Sequence, residues 1–166
     1  MKAIVYQSNT GFTKKYADLL AKKTGLPVYE RTEAHKALSA GDEIIYMGWL
    51  CAGGVKGYEK AAKAYHVLVV CAVGMGSPAE KVISEITERY HIKSAKVFYL
   101  QGGFDMNKLH GIYKFMMKMM AKTVGSAMAK KADKTDEEIA MLDMMQNGGD
   151  YVCNENLTQV LEWINK

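Results

Sequence analysis

The residues best suited to chemistry lie in a short polar stretch near the start of the chain. This stretch follows an apolar run, leads into a helical pattern, and consists of Ser8, Asn9, Thr10, Gly11, Phe12 and Thr13. A strand-to-helix turn offers unpaired backbone N–H groups at the positive end of the helix dipole, and hydroxyl and amide side chains add neutral donors. Because no lysine follows the glycine, the triphosphate-binding pattern G-x-x-x-x-G-K-[ST] is absent. The stretch favours a site for a phosphate monoester; the alternative is a helix cap made by Ser8 or Thr10.

Two further segments follow apolar runs and are rich in glycine. The first extends from Gly48 to Gly57, and the second begins at Gly74, directly after Val73. Ligands of open parallel α/β sheets bind beyond the carboxyl ends of the strands, so these segments should converge on the polar stretch if the first strand is central. Apolar loops of this kind could lie against a planar aromatic ligand. The predicted ligand-binding residues are therefore those of the polar stretch, together with Gly48, Trp49, Leu50, Cys51, Ala52, Gly53, Val73, Gly74, Met75 and Gly76.

Single residues and short patterns permit competing interpretations. The segment Gly74 to Ala79 fits the dinucleotide fingerprint G-x-G-x-x-A, but that fingerprint normally occupies the first βα turn and here it follows the fourth strand. Cys51 could be redox-active, although no basic neighbour in sequence would lower the pKa of its thiol, which favours a packed small side chain. The three cysteines contain no C-x-x-C pair and the four histidines show no ligand spacing. We expect no metal site and identify no catalytic residue.

The elements that must position these residues follow from recurring short runs rich in Val, Ile and Tyr with helical patterns between them. Such alternation is typical of βα units and a parallel sheet covered on both faces. Five strands are predicted, at Lys2–Tyr6, Pro27–Glu30, Glu43–Met47, Val67–Val73 and Lys96–Leu100. Phe12, Tyr16 and Leu20 recur at helical spacing after the first strand. Ser77 is a candidate cap for a helix with Pro78 at its first position, and a closing helix is expected around 157–164.

About fifty residues separate the fifth strand from the closing helix, where a compact connection needs about two to six. We therefore predict one domain over 1–166 with a helical insertion at 102–150. One helical face in it is predicted to carry Leu109, Ile112, Tyr113, Met116, Met119 and Met120, and Lys114, Lys118 and Lys122 follow at four-residue steps on another. The methionines fit a helix packed on the domain, or an adaptable apolar surface for a flat substrate, a partner or a membrane interface.

Composition and charge limit the classes of protein that the chain can belong to. It has 166 residues, 49% of them apolar, twelve methionines and a formal net charge of +4. These values suit one globular domain, and the charge is too small to indicate nucleic acid. The longest apolar run, Val67–Val73, is far shorter than the roughly 20 residues of a membrane-spanning helix, and no signal peptide is evident. A cytoplasmic protein is expected, with the basic insertion compatible with contact at the inner face of the membrane and its apolar residues with a homodimer.

The chain resembles the flavodoxins. Their phosphate-loop pattern, [ST]-x-T-G-x-T after the first strand, is matched by Ser8, Thr10, Gly11 and Thr13. The resemblance covers about 1–101 and the closing helix. It implies a flavodoxin-like, doubly wound, five-stranded sheet that binds FMN, with the phosphate in the polar stretch and the isoalloxazine between the segments that begin at Gly48 and Gly74. Redox chemistry would then belong to the cofactor.

Two departures shift the resemblance within that family. Typical flavodoxins are acidic, whereas this chain is basic. Long-chain flavodoxins carry an insertion inside the fifth strand, whereas the extra residues of this chain follow that strand. The segment from Gln101 to Asp105 and the methionine-rich helix after it are similar to the insertion of the flavodoxin-type, menaquinone-dependent protoporphyrinogen dehydrogenases. The resemblance implies an oxidoreductase that acts on a quinone or a porphyrinogen. The alternatives are a small electron carrier between redox partner proteins, and a binding module for another phosphate compound.

Overall fold

A computed structural model describes residues 1–126 and 130–166. The central sheet contains five parallel strands in the order β2-β1-β3-β5-β6. Their bounds are Ala3–Gln7 (β1), Val28–Glu30 (β2), Glu43–Cys51 (β3), His66–Gly74 (β5) and Lys96–Gln101 (β6). A short strand, β4 (Gly54–Val55), pairs antiparallel with the end of β3. The five predicted parallel strands are confirmed, and β1 lies inside the sheet, between β2 and β3.

Helices cover both faces of the sheet, because successive strand residues point to opposite sides. They are α1 (Phe12–Thr24), α2 (Tyr58–Ala64), α3 (Glu80–Arg89) and, near the carboxyl terminus, α6 (Thr158–Ile164). Ile4 packs with Tyr16 of α1 and Val160 of α6 in one buried cluster, whereas its neighbour Val5 packs in a second cluster that contains Ile86 of α3. The protein is therefore a doubly wound α/β sandwich, as the sequence predicts.

Two local predictions concern the connections between strands. The stretch from Thr32 to Gly41 is short and weakly patterned, which predicts an abbreviated crossover. A short 3₁₀ turn, Ala34–Lys36, is the only helical piece between β2 and β3 in the described chain, which agrees with this prediction. Ser77, by contrast, does not cap α3. That helix begins two residues later than Pro78, and its capping residue Ala79 is extended with φ −140° and no side-chain bond. Because α3 begins at Glu80, Ser77 lies two residues before the capping position, and its hydroxyl is not placed to accept from the N–H groups of the first turn.

The segment between β6 and α6 folds as a separate layer on the carboxyl edge of the sheet. It contains β7 (Gly103–Phe104), α4 (Gly111–Met120) with a π-helical turn after it, α5 (Asp136–Asn147) and β8 (Gly149–Asp150). Strands β7 and β8 pair antiparallel, so the segment leaves and rejoins the domain at one place. Thr135 and Glu138 form a reciprocal capping box at the start of α5. Phe104, Leu109 and Met144 form the small core of this layer.

The residues of the predicted apolar face differ in exposure. Ile112 and Met119 are 67% and 49% exposed, and Phe115, which was not assigned to that face, is 64% exposed. Leu109 is buried but precedes the helix. The helix is covered on one side only, so its apolar residues divide between an inner face and an outer one. No helix in the described ranges, 1–126 and 130–166, is long and apolar enough to span a membrane.

Candidate functional site

A cavity of about 380 Å³ opens at the carboxyl ends of the strands. Four pieces of chain enclose it: the loop between β1 and α1, the β3–β4 hairpin, the end of β5, and helix α4 above them. Its wall consists mainly of apolar side chains, and most of its polar side chains come from the first loop. The predicted ligand-binding residues that line it are Asn9, Thr10, Phe12, Thr13, Trp49, Leu50, Cys51, Ala52, Val73, Gly74 and Met75.

The loop after β1 is shaped so that polar groups face the cavity. The backbone N–H of Gly11 donates to Ser8 Oγ at 3.1 Å, which closes the turn, and Gly11 has a φ of +95° that suits glycine. Thr13 lies in the first turn of α1 and lines the cavity although it is only 1% exposed. The amide nitrogen of Asn9, Nδ2, is buried and has no hydrogen-bond partner among the described residues. A buried donor without an acceptor costs about 1–3 kcal/mol, which an acceptor bound in the cavity would offset.

The second predicted loop is a β-hairpin in the structure. β3 continues beyond the predicted Met47 to Cys51, turns through Ala52 and Gly53, and pairs back through β4. Both turn residues have positive φ, 50° and 72°, as a two-residue hairpin turn with the twist of the strands requires. Between Glu43 and the turn the sequence contains no charged residue, so the end of β3 was interpreted as an apolar loop.

The loop after β5 rests on a tyrosine from the neighbouring strand. Tyr99 Oη donates to the carbonyl oxygen of Gly76 at 2.7 Å. A Cβ atom added at Gly74 would lie 2.4 Å from that same phenolic oxygen, so only glycine fits there. Burial raises the pKa of Tyr99 to about 12, which keeps the phenol protonated as a donor at neutral pH. The hydrogen bond fixes the path of the chain that presents Met75 to the cavity.

Trp49 is the only tryptophan in the wall, and it contacts the roof of the cavity. Its ring meets the ring of Tyr113 from α4 edge to face, with centroids 5.0 Å apart. The ammonium group of Lys56 lies 5.9 Å from the Trp49 ring and 5.6 Å from the Tyr113 ring. Aromatic pairs of this geometry contribute about 0.5–1.5 kcal/mol beyond their burial. This contact joins the hairpin to α4.

The roof itself was not among the predicted ligand-binding residues. Three of its seven wall residues are methionines, and the full set from this layer is Gly103, Phe104, Leu109, Tyr113, Met116, Met117 and Met120. Tyr113, Met116, Met117 and Met120 follow the spacing i, i+3, i+4 and i+7, which defines one helical face. That spacing is visible in the sequence, but no residue there indicates which apolar face of the helix turns inward.

Five predicted ligand-binding residues lie outside the cavity wall and shape it from behind. Gly48 is packed beneath β4, since a Cβ there would lie 2.6 Å from Val55 Cγ1. Gly76 accepts the bond from Tyr99. The others form turns: Ser8 and Gly11 close the first loop, and Gly53 occupies the hairpin turn. These five residues lie in the predicted segments, but they fix the path of the backbone and do not form part of the cavity surface.

The cysteines differ in their access to the site. Cys71 is fully buried in β5, and burial raises the pKa of its thiol to about 12, so it is inert at neutral pH. Cys51 is half-buried and lines the cavity. Within the described residues, no group of three or more His, Cys, Asp or Glu side chains could hold a metal ion.

The sheet order, the polar loop between the first strand and the first helix, and the apolar cavity beyond the strand ends define a doubly wound protein of the flavodoxin class. The family model described as "Flavodoxin domain" matches residues 3–136, most of the chain. The protein belongs to this family, whose domains in general bind FMN and transfer electrons. Searches of curated proteins and of solved structures found no match.

The described residues fit FMN at the cavity. The loop from Ser8 to Thr13 supplies neutral donors at a helix start, and the unpartnered Nδ2 of Asn9 lacks an acceptor that a phosphate oxygen would provide. The apolar wall between Trp49 and Met75 suits a planar ring system. Both requirements of the cofactor, an anion at one end and a flat aromatic body, are met by adjacent parts of one cavity.

Proposed function

We propose that this protein binds FMN in the cavity and uses it to oxidise or reduce a flat apolar substrate. The observation that carries the cofactor assignment is the buried, unpartnered amide nitrogen of Asn9 beside an apolar cavity. Asn9, Thr10 and Thr13 would hold the phosphate, and Trp49 and Met75 would contact the ring system. When bound, FMN supplies the exchange of one or two electrons with the substrate. The protein supplies position, exclusion of water and the electrostatic surroundings.

The cofactor assignment is tested by the double variant Thr10→Ala/Thr13→Ala. Each hydroxyl removed from a phosphate costs about 0.5–1.5 kcal/mol, so the dissociation constant for FMN should rise by about tenfold to a hundredfold. Fluorescence quenching of FMN on titration with protein measures it. The matched control is Ser84→Ala/Ser94→Ala, which removes two hydroxyls from exposed positions. A wild-type protein that does not quench FMN, or equal affinities in the two variants, would reject the assignment.

The roof of the cavity supports an apolar substrate such as a quinone or a porphyrinogen. Met116, Met117 and Met120 are unbranched and polarisable, so they can repack around ligands of different outline. The wall around them offers no carboxylate or guanidinium to a polar substrate. The roof therefore suits an apolar ring system, and the carboxylates of a porphyrinogen would have to lie outside it.

The substrate class is tested by turnover of menadione and of protoporphyrinogen in the FMN-loaded protein. Met117→Ser/Met120→Ser should raise KM for both compounds and leave FMN affinity unchanged, because it makes the roof polar and leaves the phosphate loop intact. The exposed pair Met119→Ser/Phe115→Ser serves as control, since both side chains point away from the cavity. No turnover with either compound would instead favour the carrier function that the family also performs.

The outer face of α4 supports a contact with an anionic membrane surface. Ile112, Phe115 and Met119 form an exposed apolar stripe, and three lysines at four-residue steps, Lys114, Lys118 and Lys122, flank it. An apolar stripe beside lysines is the pattern of a helix that lies in the headgroup region. Co-sedimentation should occur with vesicles that contain phosphatidylglycerol and should be lost in Phe115→Ser/Met119→Ser. Equal sedimentation with neutral vesicles would contradict the role of the lysines.

A further inference from the structure

A second cavity, of about 420 Å³, lies on the other side of the β3–β4 hairpin from the first. The two cavities share one wall residue, Cys51. Four basic side chains line the second cavity, each from a different part of the fold: Arg31 follows β2, Lys56 follows β4, Lys60 lies on α2, and Arg89 ends α3. Glu59 is the only carboxylate in its wall. Four cations thus face one anion around a single open space.

The two arginines are held in place by neutral groups. Arg31 Nε donates to Gln7 Oε1 at 2.8 Å, and Arg89 Nη1 donates to the carbonyl oxygen of Ala52 at 3.1 Å. Gly57 makes room for Arg31, because a Cβ at Gly57 would lie 2.8 Å from its Cδ and 2.1 Å from Gln7 Oε1. Each guanidinium is oriented by one bond and keeps further N–H groups for another acceptor.

The charge of these side chains is not neutralised within the described part of the chain. Carboxylates pair with several other lysines there, but none lies within 4.0 Å of Arg31, Lys56, Lys60 or Arg89. Four positive charges and one negative charge leave an excess of three around the cavity. Unpaired cations that converge on a cavity, two of them oriented by hydrogen bonds, are the usual arrangement of an anion site. A guanidinium group can bind a phosphoryl or carboxylate group through two parallel N–H bonds.

From this arrangement we infer that the second cavity binds a small molecule with two phosphoryl groups, an organic diphosphate. The cations stand on separate walls, which suits two negative groups better than one. A diphosphate carries about two to three negative charges near neutral pH, close to the excess around the cavity. The volume is within the roughly 300–1,000 Å³ of small-molecule sites. This site is additional to the loop at Ser8 to Thr13.

The ligand would lie next to the proposed flavin site. Lys56 lines the second cavity, while its ammonium group lies over Trp49 in the wall of the first. A diphosphate that attracts Lys56 would therefore alter the surroundings of Trp49. Only this effect on the surroundings of Trp49 rests on the proposed function, because binding of the diphosphate itself requires no flavin.

Calorimetric titration of the full-length protein with pyrophosphate tests the inference. The variant Lys60→Gln/Arg89→Gln should raise the dissociation constant about tenfold or more. The control Lys81→Gln/Lys93→Gln removes the same charge from exposed positions outside the cavity and should leave binding unchanged. Thermal unfolding of each variant verifies the fold, and Arg31→Gln gives a second, independent loss from the opposite wall.

Four outcomes would overturn the inference. They are no binding at millimolar pyrophosphate, equal weakening in the cavity and control variants, citrate binding as tightly as pyrophosphate, and loss of binding in Thr10→Ala/Thr13→Ala but not in Lys60→Gln/Arg89→Gln. The last result would place pyrophosphate in the loop after β1 and would leave the FMN proposal standing. Conversely, a protein that binds pyrophosphate but not FMN would reject the FMN proposal and leave the diphosphate inference standing.

Discussion

Replacing Gly74 by alanine should destabilise the protein and displace the loop that presents Met75. Gly74 is buried at the end of β5 and has no left-handed φ, so the effect of the substitution is one of space and not of backbone strain. The new Cβ would lie 2.4, 2.8 and 2.9 Å from three atoms of the Tyr99 phenol, closer than non-bonded carbon and oxygen atoms pack. Either the loop or the phenol must move.

The magnitude follows from the two interactions that the movement changes. Overpacking of a filled site costs about 1–3 kcal/mol. Displacement of Tyr99 also breaks its hydrogen bond to the Gly76 carbonyl, worth about 1 kcal/mol, while the lower chain entropy of alanine returns about 0.4–1 kcal/mol. The net loss in the free energy of unfolding should be about 1–3 kcal/mol, accompanied by weaker FMN binding, since Met75 lies in the cavity wall.

Urea unfolding followed by circular dichroism measures this loss, and Gly76→Ala is the matched control. A Cβ at Gly76 would meet its nearest atoms at 3.8 Å, an ordinary contact, so that variant should be as stable as the wild type. Tyr99→Leu removes the phenol, and in that background Gly74→Ala should cost little. The reasoning is refuted if both alanine variants unfold at the same urea concentration, or if removal of the phenol does not relieve the loss.

Three further predictions concern single groups. Ser8→Ala should lower the free energy of unfolding by about 1 kcal/mol, measured by urea unfolding, because the Gly11 N–H loses its acceptor; no change would contradict the role of that bond. Iodoacetamide at pH 8 should label the half-buried Cys51 and Cys153 and leave Cys71 unlabelled until the protein unfolds, since burial raises the pKa of the Cys71 thiol to about 12; rapid labelling of Cys71, identified by peptide mass spectrometry, would disprove it. Burial raises the pKa of the Asp150 carboxyl, but the hydrogen bonds from Lys15 and from the Val152 N–H lower it by more, so the folded pKa lies below the unfolded value near 4. The ionised carboxylate therefore stabilises the fold above the unfolded pKa, and this stabilisation is lost as the pH falls through the folded pKa. Asp150→Asn should therefore lose less stability than the wild type between about pH 4 and pH 2, and identical acid transitions would exclude the effect.

The sheet was predictable because its strands are nearly continuous apolar runs. Val67–Val73 must be buried on both faces, and this requirement alone places it near the centre of a parallel sheet. The end of β3 was not predictable in the same way. The chain continues from Met47 to Cys51 and turns back at Ala52, a residue that rarely adopts positive φ, and Gly53 and Gly54 indicate a turn or loop without indicating which residues pair across it.

The candidate site was predictable at its floor and not at its roof. The polar residues around Thr10 share a short segment with one geometry, a strand-to-helix turn. The orientation of α4, in contrast, depends on long-range contacts such as that between Trp49 and Tyr113. Because the helix is apolar on two sides, its sequence pattern fits either rotation about its axis, and only tertiary packing selects one.

Because β7 pairs with β8, the layer above the cavity begins and ends at one place and can be exchanged as a unit. Phe104 pairs with Gly149, so the ends of the layer lie on adjacent strands, and none of the five parallel strands pairs with it. A two-residue turn could join these ends and leave every ladder of the sheet intact. Changes in the roof can thus leave the strand ladders of the sheet intact, although they would alter contacts such as that between Tyr113 and Trp49, and another layer could be grafted at the same two residues.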